Sequence, residues 1–125
     1  MFLSRNQRAA RLTETSLRRL ERRHQALLGK LRRLGLVLRG SIGARLMPCG
    51  NPKCRCKSDP ARRHGPYYLW TRKVAAKTVT VRLSAEQARR CMQWSRNMRQ
   101  FDSLVRQVQQ LGLRAADVVR GCAPP

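Results

Sequence analysis

Acidic residues are scarce in this sequence. Its 125 residues include only 6 Asp and Glu against 28 Lys and Arg, which gives a net charge of +22. The sequence holds no pair of carboxylates placed for general acid–base work, no plausible Ser-His-Asp order and no Gly-rich phosphate loop. These absences predict a protein without enzymatic activity.

Aromatic residues and long apolar runs are also few. Aromatic residues make up 5% of the chain, too few to line a deep, enclosed active-site cavity. No apolar run approaches the roughly 20 residues that a bilayer span needs, and the first residues lack the apolar core of a secretory signal. Because there are five cysteines and no export signal, we expect a cytoplasmic protein whose clustered cysteines bind metal in preference to forming disulfides.

The unbalanced positive charge points to a polyanionic partner. Arg supplies 23 of the 28 basic residues; codon bias in a GC-rich genome also favours Arg, but it does not remove acidic residues. A high net charge destabilises a compact chain by self-repulsion unless a polyanion or counterions offset it. We therefore expect a nucleic-acid-binding protein, with DNA favoured over RNA. A basic surface for a protein partner is the alternative, and an anionic membrane is not favoured.

Helical patterns occupy both ends of the chain. Residues 1–39 form a basic segment, and residues 84–125 form a second helix and a tail. Both helices begin at the sequence of a capping box, Ser4–Gln7 and Ser84–Gln87. The first helical pattern continues to about Leu38, where glycines weaken it.

Each helix carries a narrow stripe of residues spaced three and four positions apart, which is typical of a coiled coil or a helical hairpin. The stripe of the first helix comprises Leu17, Leu20, His24, Leu27, Leu31 and Leu34. The stripe of the second comprises Cys91, Trp94, Met98, Phe101, Val105 and Val108. We expect the second helix to end before Gly112. The two stripes either pack on each other or pair with a second chain, as in a homodimer.

The segment between the helices, residues 40–83, has the pattern of a β-module. Lys77–Leu83 alternates strictly between apolar and polar residues, and Pro66–Arg72 is rich in aromatic and β-branched residues. The short link between them predicts an antiparallel hairpin, and Ile42–Met47 is a weaker candidate for a third strand. The sequence thus predicts an α+β fold: a long helix, a small antiparallel sheet of two or three strands, and another long helix.

The β-module also contains a cluster of potential metal ligands. Three thiols and one imidazole fall within sixteen residues: Cys49, Cys54, Cys56 and His64. The glycine and proline that separate the first two cysteines favour a tight turn. This donor set completes a tetrahedral Zn²⁺ shell, so we expect a structural zinc without an open catalytic position. A redox-sensing cluster and reduced cysteines without a special role are the alternatives.

Four features of this segment together resemble an uncharacterised family of small bacterial proteins. They are Gly40–Ile42, the pattern CGxPxCRC over Cys49–Cys56, His64–Tyr68 and Lys77–Thr80. The resemblance covers about residues 40–101. It implies a Cys-rich β-segment followed by a helix and, because such proteins are often encoded beside transposases, the context of mobile-element DNA. This chain departs from its relatives at the hairpin turn, Val74–Ala76, where they tend to carry glycines.

Basic side chains gather around the β-module and the start of the second helix, where arginine forks suit phosphate groups. The residues that we expect to contact nucleic acid are Arg55, Lys57, Arg62, Arg63, Arg72, Lys73, Lys77, Arg89 and Arg90. The neighbouring Tyr67, Tyr68 and Trp70 either cover the β-core, which is favoured, or stack on bases. The competing function is a protein-interaction adaptor that docks a transposase or a similar partner through its helices.

Overall fold

The structure is a computed structural model that describes residues 2–47, 51–55, 58–62 and 64–121. Its elements are helix α1 (Arg5–Arg33), strands β1 (Ser41–Met47), β2 (His64–Val74) and β3 (Lys77–Leu83), and helix α2 (Ala85–Arg120), with a short 3₁₀ turn at Pro60–Arg62 before β2. The three strands form one antiparallel sheet in the order β1-β2-β3. The predicted α+β fold and the third strand are therefore confirmed.

The chain divides into two compact units. The helical unit consists of Met1–Leu34 and Gln100–Pro125, and the sheet unit consists of Gly35–Arg99. Helix α2 contributes its first half to the sheet unit and its last half to the helical unit.

Both predicted capping boxes are present. At the start of α1, the backbone N–H of Gln7 donates to Oγ of Ser4 (3.2 Å) and the side chain of Gln7 accepts from the backbone N–H of Ser4 (2.9 Å). Ser84 and Gln87 make the same reciprocal pair at the start of α2, at 3.1 and 2.9 Å. These bonds satisfy N–H groups that a helix N-terminus otherwise leaves without partners.

Helix α1 ends at Arg33, five residues before the end of the predicted helical pattern. The capping residue Leu34 is already extended. The next residues bond to α2 instead: the N–H of Leu38 donates to the carbonyl of Trp94 (3.1 Å), and the side-chain amide of Asn97 donates to the carbonyl of Leu36 (2.8 Å). Distant hydrogen bonds thus hold an apolar run in a non-helical conformation that its composition does not predict.

Helix α2 continues through Gly112 to Arg120, so the prediction that it ends before Gly112 is wrong. A helical glycine costs only about 1 kcal/mol relative to alanine. Leu111 beside it is buried in the core of the helical unit. Burial of a leucine side chain contributes about 2 kcal/mol, which outweighs the cost of the glycine.

The helical unit is held together by the two helices packing on each other, the first of the two arrangements that the stripes allow. Leu27 of α1 and Leu104 and Leu111 of α2 form its buried cluster. Half-buried residues pack against this cluster: Leu20, Leu31, Leu34 and Val108. The stripe of α1 is as predicted. That of α2 is centred on Leu104, which is 4% exposed, where the sequence pattern favours Val105.

In the sheet unit, the segment before β1 is fixed to β2 and to α2 by contacts around Gly40. The indole N–H of Trp70 donates to the carbonyl of Arg39 (2.9 Å), and the hydroxyl of Ser95 donates to the carbonyl of Gly40 (3.3 Å). Gly40 has a φ of +113°, and a Cβ at this position would lie 2.6 Å from both the Thr71 carbonyl oxygen and Nε1 of Trp70. Only glycine fits this conformation and this close approach.

Candidate nucleic-acid interface

The register of the sheet sorts its side chains onto two faces. Ile42 pairs with Trp70 and Trp70 with Val81, and alternate residues of each strand share a face. The apolar face carries Ile42, Ala44, Tyr68, Trp70, Arg72, Val79, Val81 and Leu83. The polar face carries Ser41, Gly43 and Arg45 of β1, Tyr67, Leu69, Thr71 and Lys73 of β2, and Thr78, Thr80 and Arg82 of β3.

The polar face is cationic. Arg45, Lys73 and Arg82 are exposed there, one on each strand, and no Asp or Glu occurs in any of the three strands. More widely, the sheet unit contains 15 of the 28 basic residues and only 2 of the 6 acidic ones. Its positive charge is therefore scarcely balanced within the unit.

Two contacts order the side chains of the polar face. The guanidinium carbon of Arg82 lies 3.7 Å from the centre of the Tyr67 ring, within the range of a cation–π interaction. The hydroxyls of Thr71 and Thr80 are hydrogen-bonded across the β2–β3 pair at 3.2 Å. The middle of the face thus carries short hydroxyl side chains beside Leu69, and a stacked arginine lies on the outer strand β3.

Arg72 and Lys73, both predicted to contact nucleic acid, lie on opposite faces of the sheet because they are adjacent in β2. Lys73 is exposed on the polar face. On the apolar face, the guanidinium carbon of Arg72 lies 3.9 Å from the centre of a Trp70 ring. Its Nη1 is buried and has no hydrogen-bond partner among the described residues. Arg72 therefore does not lie on the surface that Lys73 occupies.

The other predicted basic residues are dispersed. Arg62 pairs with Asp59 at 3.3 Å, and Arg89 and Arg90 both pair with Glu86, at 3.7 and 3.5 Å. These are exposed pairs within one turn of helix, of the kind that contributes little to stability, so a phosphate can displace the carboxylate. Four predicted residues remain: Arg55 and Lys77 are exposed, and Lys57 and Arg63 lie outside the described residues.

Sequence reasoning missed Arg45 and Arg82, the two arginines on the outer strands of the polar face. The alternation of β3 places Arg82 with Thr78 and Thr80, and this signal was available in the sequence. No local signal places Arg45 with them, because its position depends on the pairing of β1 with β2, in which Arg45 is opposite Tyr67.

The Cys/His cluster is only partly described. Cys49 and Cys56 lie outside the described residues, and among the residues described no group of three potential metal ligands is found. Cys54 is half-buried, and its N–H donates to the carbonyl of Asn51 at 3.1 Å. This bond closes the tight turn that the sequence predicts.

His64, the fourth predicted ligand, is the first residue of β2 and pairs with Met47, the last of β1. The connection that carries the cluster therefore begins and ends at paired residues of neighbouring strands.

A scan against protein families matches residues 17–93, more than half of the chain, to a family described as "Domain of unknown function (DUF6788)". The chain belongs to this family. The expectation of an uncharacterised family is confirmed. Neither a comparison with curated proteins nor one with solved structures gives a match.

The DUF6788 match has informative limits. It contains the whole sheet and the Cys/His cluster, and it ends inside α2, before the buried Leu104 and Leu111. It therefore covers the polar face completely and only part of the helical unit. Among the described residues, neither α1 nor α2 has an apolar stretch that is long enough to cross a bilayer.

Proposed function

We propose that this protein is a non-catalytic nucleic-acid-binding protein, with DNA favoured over RNA, and that the polar face is its principal contact surface. The observation that carries the proposal is the exposure of Arg45, Lys73 and Arg82 on one face of a sheet that contains no acidic residue. Such an array attracts phosphates without a competing carboxylate, and each phosphate contact releases counterions, which favours binding.

The test is a salt titration of nucleic-acid binding by fluorescence anisotropy. The variant Arg45→Ala/Lys73→Ala/Arg82→Ala removes three charges from the polar face. Because each neutralised phosphate contributes about 0.9 to the log–log slope on duplex DNA, the slope should flatten by about 2 to 3. The matched control, Arg8→Ala/Arg11→Ala/Arg18→Ala, removes three exposed charges from α1 and should change the slope less. Absence of binding by the unaltered protein at low salt would overturn the proposal.

We also propose that Cys49, Cys54, Cys56 and His64 bind one structural Zn²⁺. Three thiolates and an imidazole form a complete tetrahedral shell. The turn at Cys54 and the paired residues Met47 and His64 at the ends of the connection support this assignment. The ion would cross-link a connection whose described residues form turns and short 3₁₀ segments, so its contribution would be structural.

The resemblance described above supports a role as an accessory to a mobile element. In that role, the protein would bind the element's DNA through contacts that position it on the phosphate backbone. Removal of such contacts should weaken salt-dependent binding on all DNA sequences alike.

A second candidate function is an adaptor that docks a transposase or a similar protein, and the helical unit favours it. Leu12, Leu113 and Val119 are 60% to 69% exposed there, so these apolar side chains are available for contact with a protein partner. A complex that survives nuclease treatment and high salt would favour the adaptor. A complex that nuclease dissolves would favour nucleic-acid binding.

A further inference from the structure

Two kinds of nucleic-acid surface fit a cationic sheet. A single-strand platform offers aromatic rings on which successive bases stack. A duplex-binding surface instead brings short polar side chains to the base edges in a groove while cations contact the phosphates on both sides. The contacts of the polar face distinguish between these two.

The aromatic rings of the sheet do not form a stacking platform. Tyr67 is the single aromatic residue of the polar face, and Arg82 covers one side of its ring at 3.7 Å. Trp70 lies on the apolar face, where Arg72 stacks on it at 3.9 Å and its indole N–H is bonded to Arg39. Successive bases would have to displace these arginines before they could stack.

The polar face, in contrast, allows close approach of another molecule at Gly43 and along a row of small residues. Around Gly43 there is no atom within 4 Å of the position that a Cβ would take. Ser41 pairs with Thr71, and Thr71 pairs with Thr80, so a row of small residues crosses all three strands. Threonine hydroxyls and methyl groups are suited to contacts with base edges and with the thymine methyl group.

The cations of the polar face lie on both sides of this row along the strands, Lys73 on one side and Arg45 and Arg82 on the other. Arg45 is on β1 and Arg82 is on β3, the two outer strands. Since neighbouring strands lie about 4.8 Å apart, the outer strands are separated by about 10 Å. The major groove of B-form DNA is about 12 Å wide, so one arginine can face each of the two phosphate backbones that border it.

We infer that the polar face binds duplex DNA in its major groove, with the small residues of its central row towards the base edges and Arg45 and Arg82 towards the two phosphate backbones. This inference rests on the proposed nucleic-acid binding. It also predicts discrimination against double-stranded RNA, whose major groove is too deep and narrow for side chains to read.

The test compares the full-length protein on a DNA duplex of about 20 base pairs, on each of its single strands, and on the RNA duplex of the same sequence. We expect the DNA duplex to bind at least about 10-fold more tightly than the other three, the scale of one specific base contact. Methylation protection by dimethyl sulfate then locates the groove, because guanine N7 lies in the major groove and adenine N3 in the minor groove. We expect protection at N7.

The variant Gly43→Gln tests whether DNA approaches the polar face closely. It places a neutral side chain in open space, so the fold should tolerate it, but it obstructs the close approach to base edges. We expect about a 10-fold loss of duplex affinity with an unchanged melting temperature. Ala44→Gln, on the opposite face of the same strand, should leave affinity unchanged.

The outcomes separate the two levels of the proposal. If no nucleic acid binds at low salt, both the proposed function and this inference fail. If a single strand or the RNA duplex binds as tightly as the DNA duplex, or if adenine N3 is protected and guanine N7 is not, the inference fails while nucleic-acid binding stands. Unchanged duplex affinity of Gly43→Gln would also overturn it.

Discussion

The helical unit and the sheet unit achieve stability in different ways. The helical unit buries three leucines, Leu27, Leu104 and Leu111, in one cluster. Among the strand residues whose side chains are described, none is fully buried, and the buried residues of the sheet unit come from α2: Ala88, Ser95 and Met98. The sheet unit relies instead on specific hydrogen bonds, two stacked arginines and the proposed zinc, since a small core benefits from a metal staple.

This difference has a functional consequence. A sheet with little apolar core can leave one of its faces polar and cationic, because that face is not needed for packing. The helical unit cannot do so along its stripe, since substitution there removes buried apolar area. The proposed binding surface and the larger hydrophobic cluster thus belong to different units of the chain.

Zinc removal should produce the largest difference in stability between the two units. Structural zinc sites commonly supply several kcal/mol or more to small domains, so a chelator, or Cys54→Ser, should unfold the sheet unit and leave much of the helical signal in circular dichroism. Elemental analysis of the purified protein should find about one zinc per chain. Cys91→Ser, a half-buried cysteine of α2 outside the cluster, is the control and should retain the metal.

A chain expressed with ample zinc that contains none would contradict the metal proposal. Unchanged thermal stability in the presence of a chelator would contradict its structural role. Either result would leave the polar face as the principal functional candidate of the sheet unit.

Gly40→Ala should be the most damaging single substitution outside the cluster. The new Cβ would lie 2.6 Å from a backbone oxygen, at a φ of +113°, and the combined strain and overpacking should cost about 3 to 4 kcal/mol. Denaturant unfolding followed by tryptophan fluorescence reports on it directly, since Trp70 and Trp94 both belong to the sheet unit. Gly43→Ala has open space around it and should be close to neutral; equal losses in the two variants would argue against the tight contact at Gly40.

Leu104→Ala makes the corresponding change in the helical unit. Leu104 is 4% exposed, and truncation of a buried leucine costs about 2 to 5 kcal/mol, with a value near 3 expected in this small core. Thermal unfolding followed at 222 nm should show the loss. Leu113→Ala, at a position that is 60% exposed, should lower stability by less than about 1 kcal/mol. Similar losses of stability at the two positions would mean that the buried stripe of α2 is not centred on Leu104.

The parts of the fold that depend on near neighbours were predictable from the sequence. The capping boxes at Ser4 and Ser84 need residues only three positions apart, and the alternation of Lys77–Leu83 identifies β3 with its observed bounds. The end of α1 was not predictable, because its cause is a hydrogen bond between Leu36 and Asn97, residues far apart in the chain. Local composition carries no information about such a partner.

The same distinction holds for the candidate site. The sequence identifies the cationic character of the β-module, but it places Lys73 in the link after the predicted strand Pro66–Arg72, whereas β2 continues to Val74. It does not separate Arg72, which stacks on Trp70, from Lys73 beside it, and it does not join Arg45 to Arg82 across the sheet. Strand register and ring contacts decide these relations, and both depend on the pairing of β1 with β2.

Substitutions in the hairpin turn between β2 and β3 should have the smallest effect on stability, and they should raise it where the others lower it. Ala75 and Ala76 have φ values of 48° and 67°, the pair of positive angles that a two-residue type I′ turn requires. Asparagine and glycine are preferred there, because other residues with a Cβ pay about 1 kcal/mol or more for this conformation. The turn that departs from the expected glycines is therefore a strained part of the sheet unit.

Ala75→Asn/Ala76→Gly should stabilise the sheet unit by about 1 kcal/mol, because the relief of strain is partly offset by the greater freedom of glycine in the unfolded chain. The melting temperature followed by tryptophan fluorescence should rise by a few degrees. Ala10→Gly is the matched control: the same loss of a methyl group at an exposed position within α1 should cost about 1 kcal/mol, since the backbone there is helical. The sign of the change thus depends on φ and not on glycine itself. A fall in melting temperature for the turn variant would mean that these alanines do not adopt positive φ, and that the β2–β3 hairpin closes through a different turn.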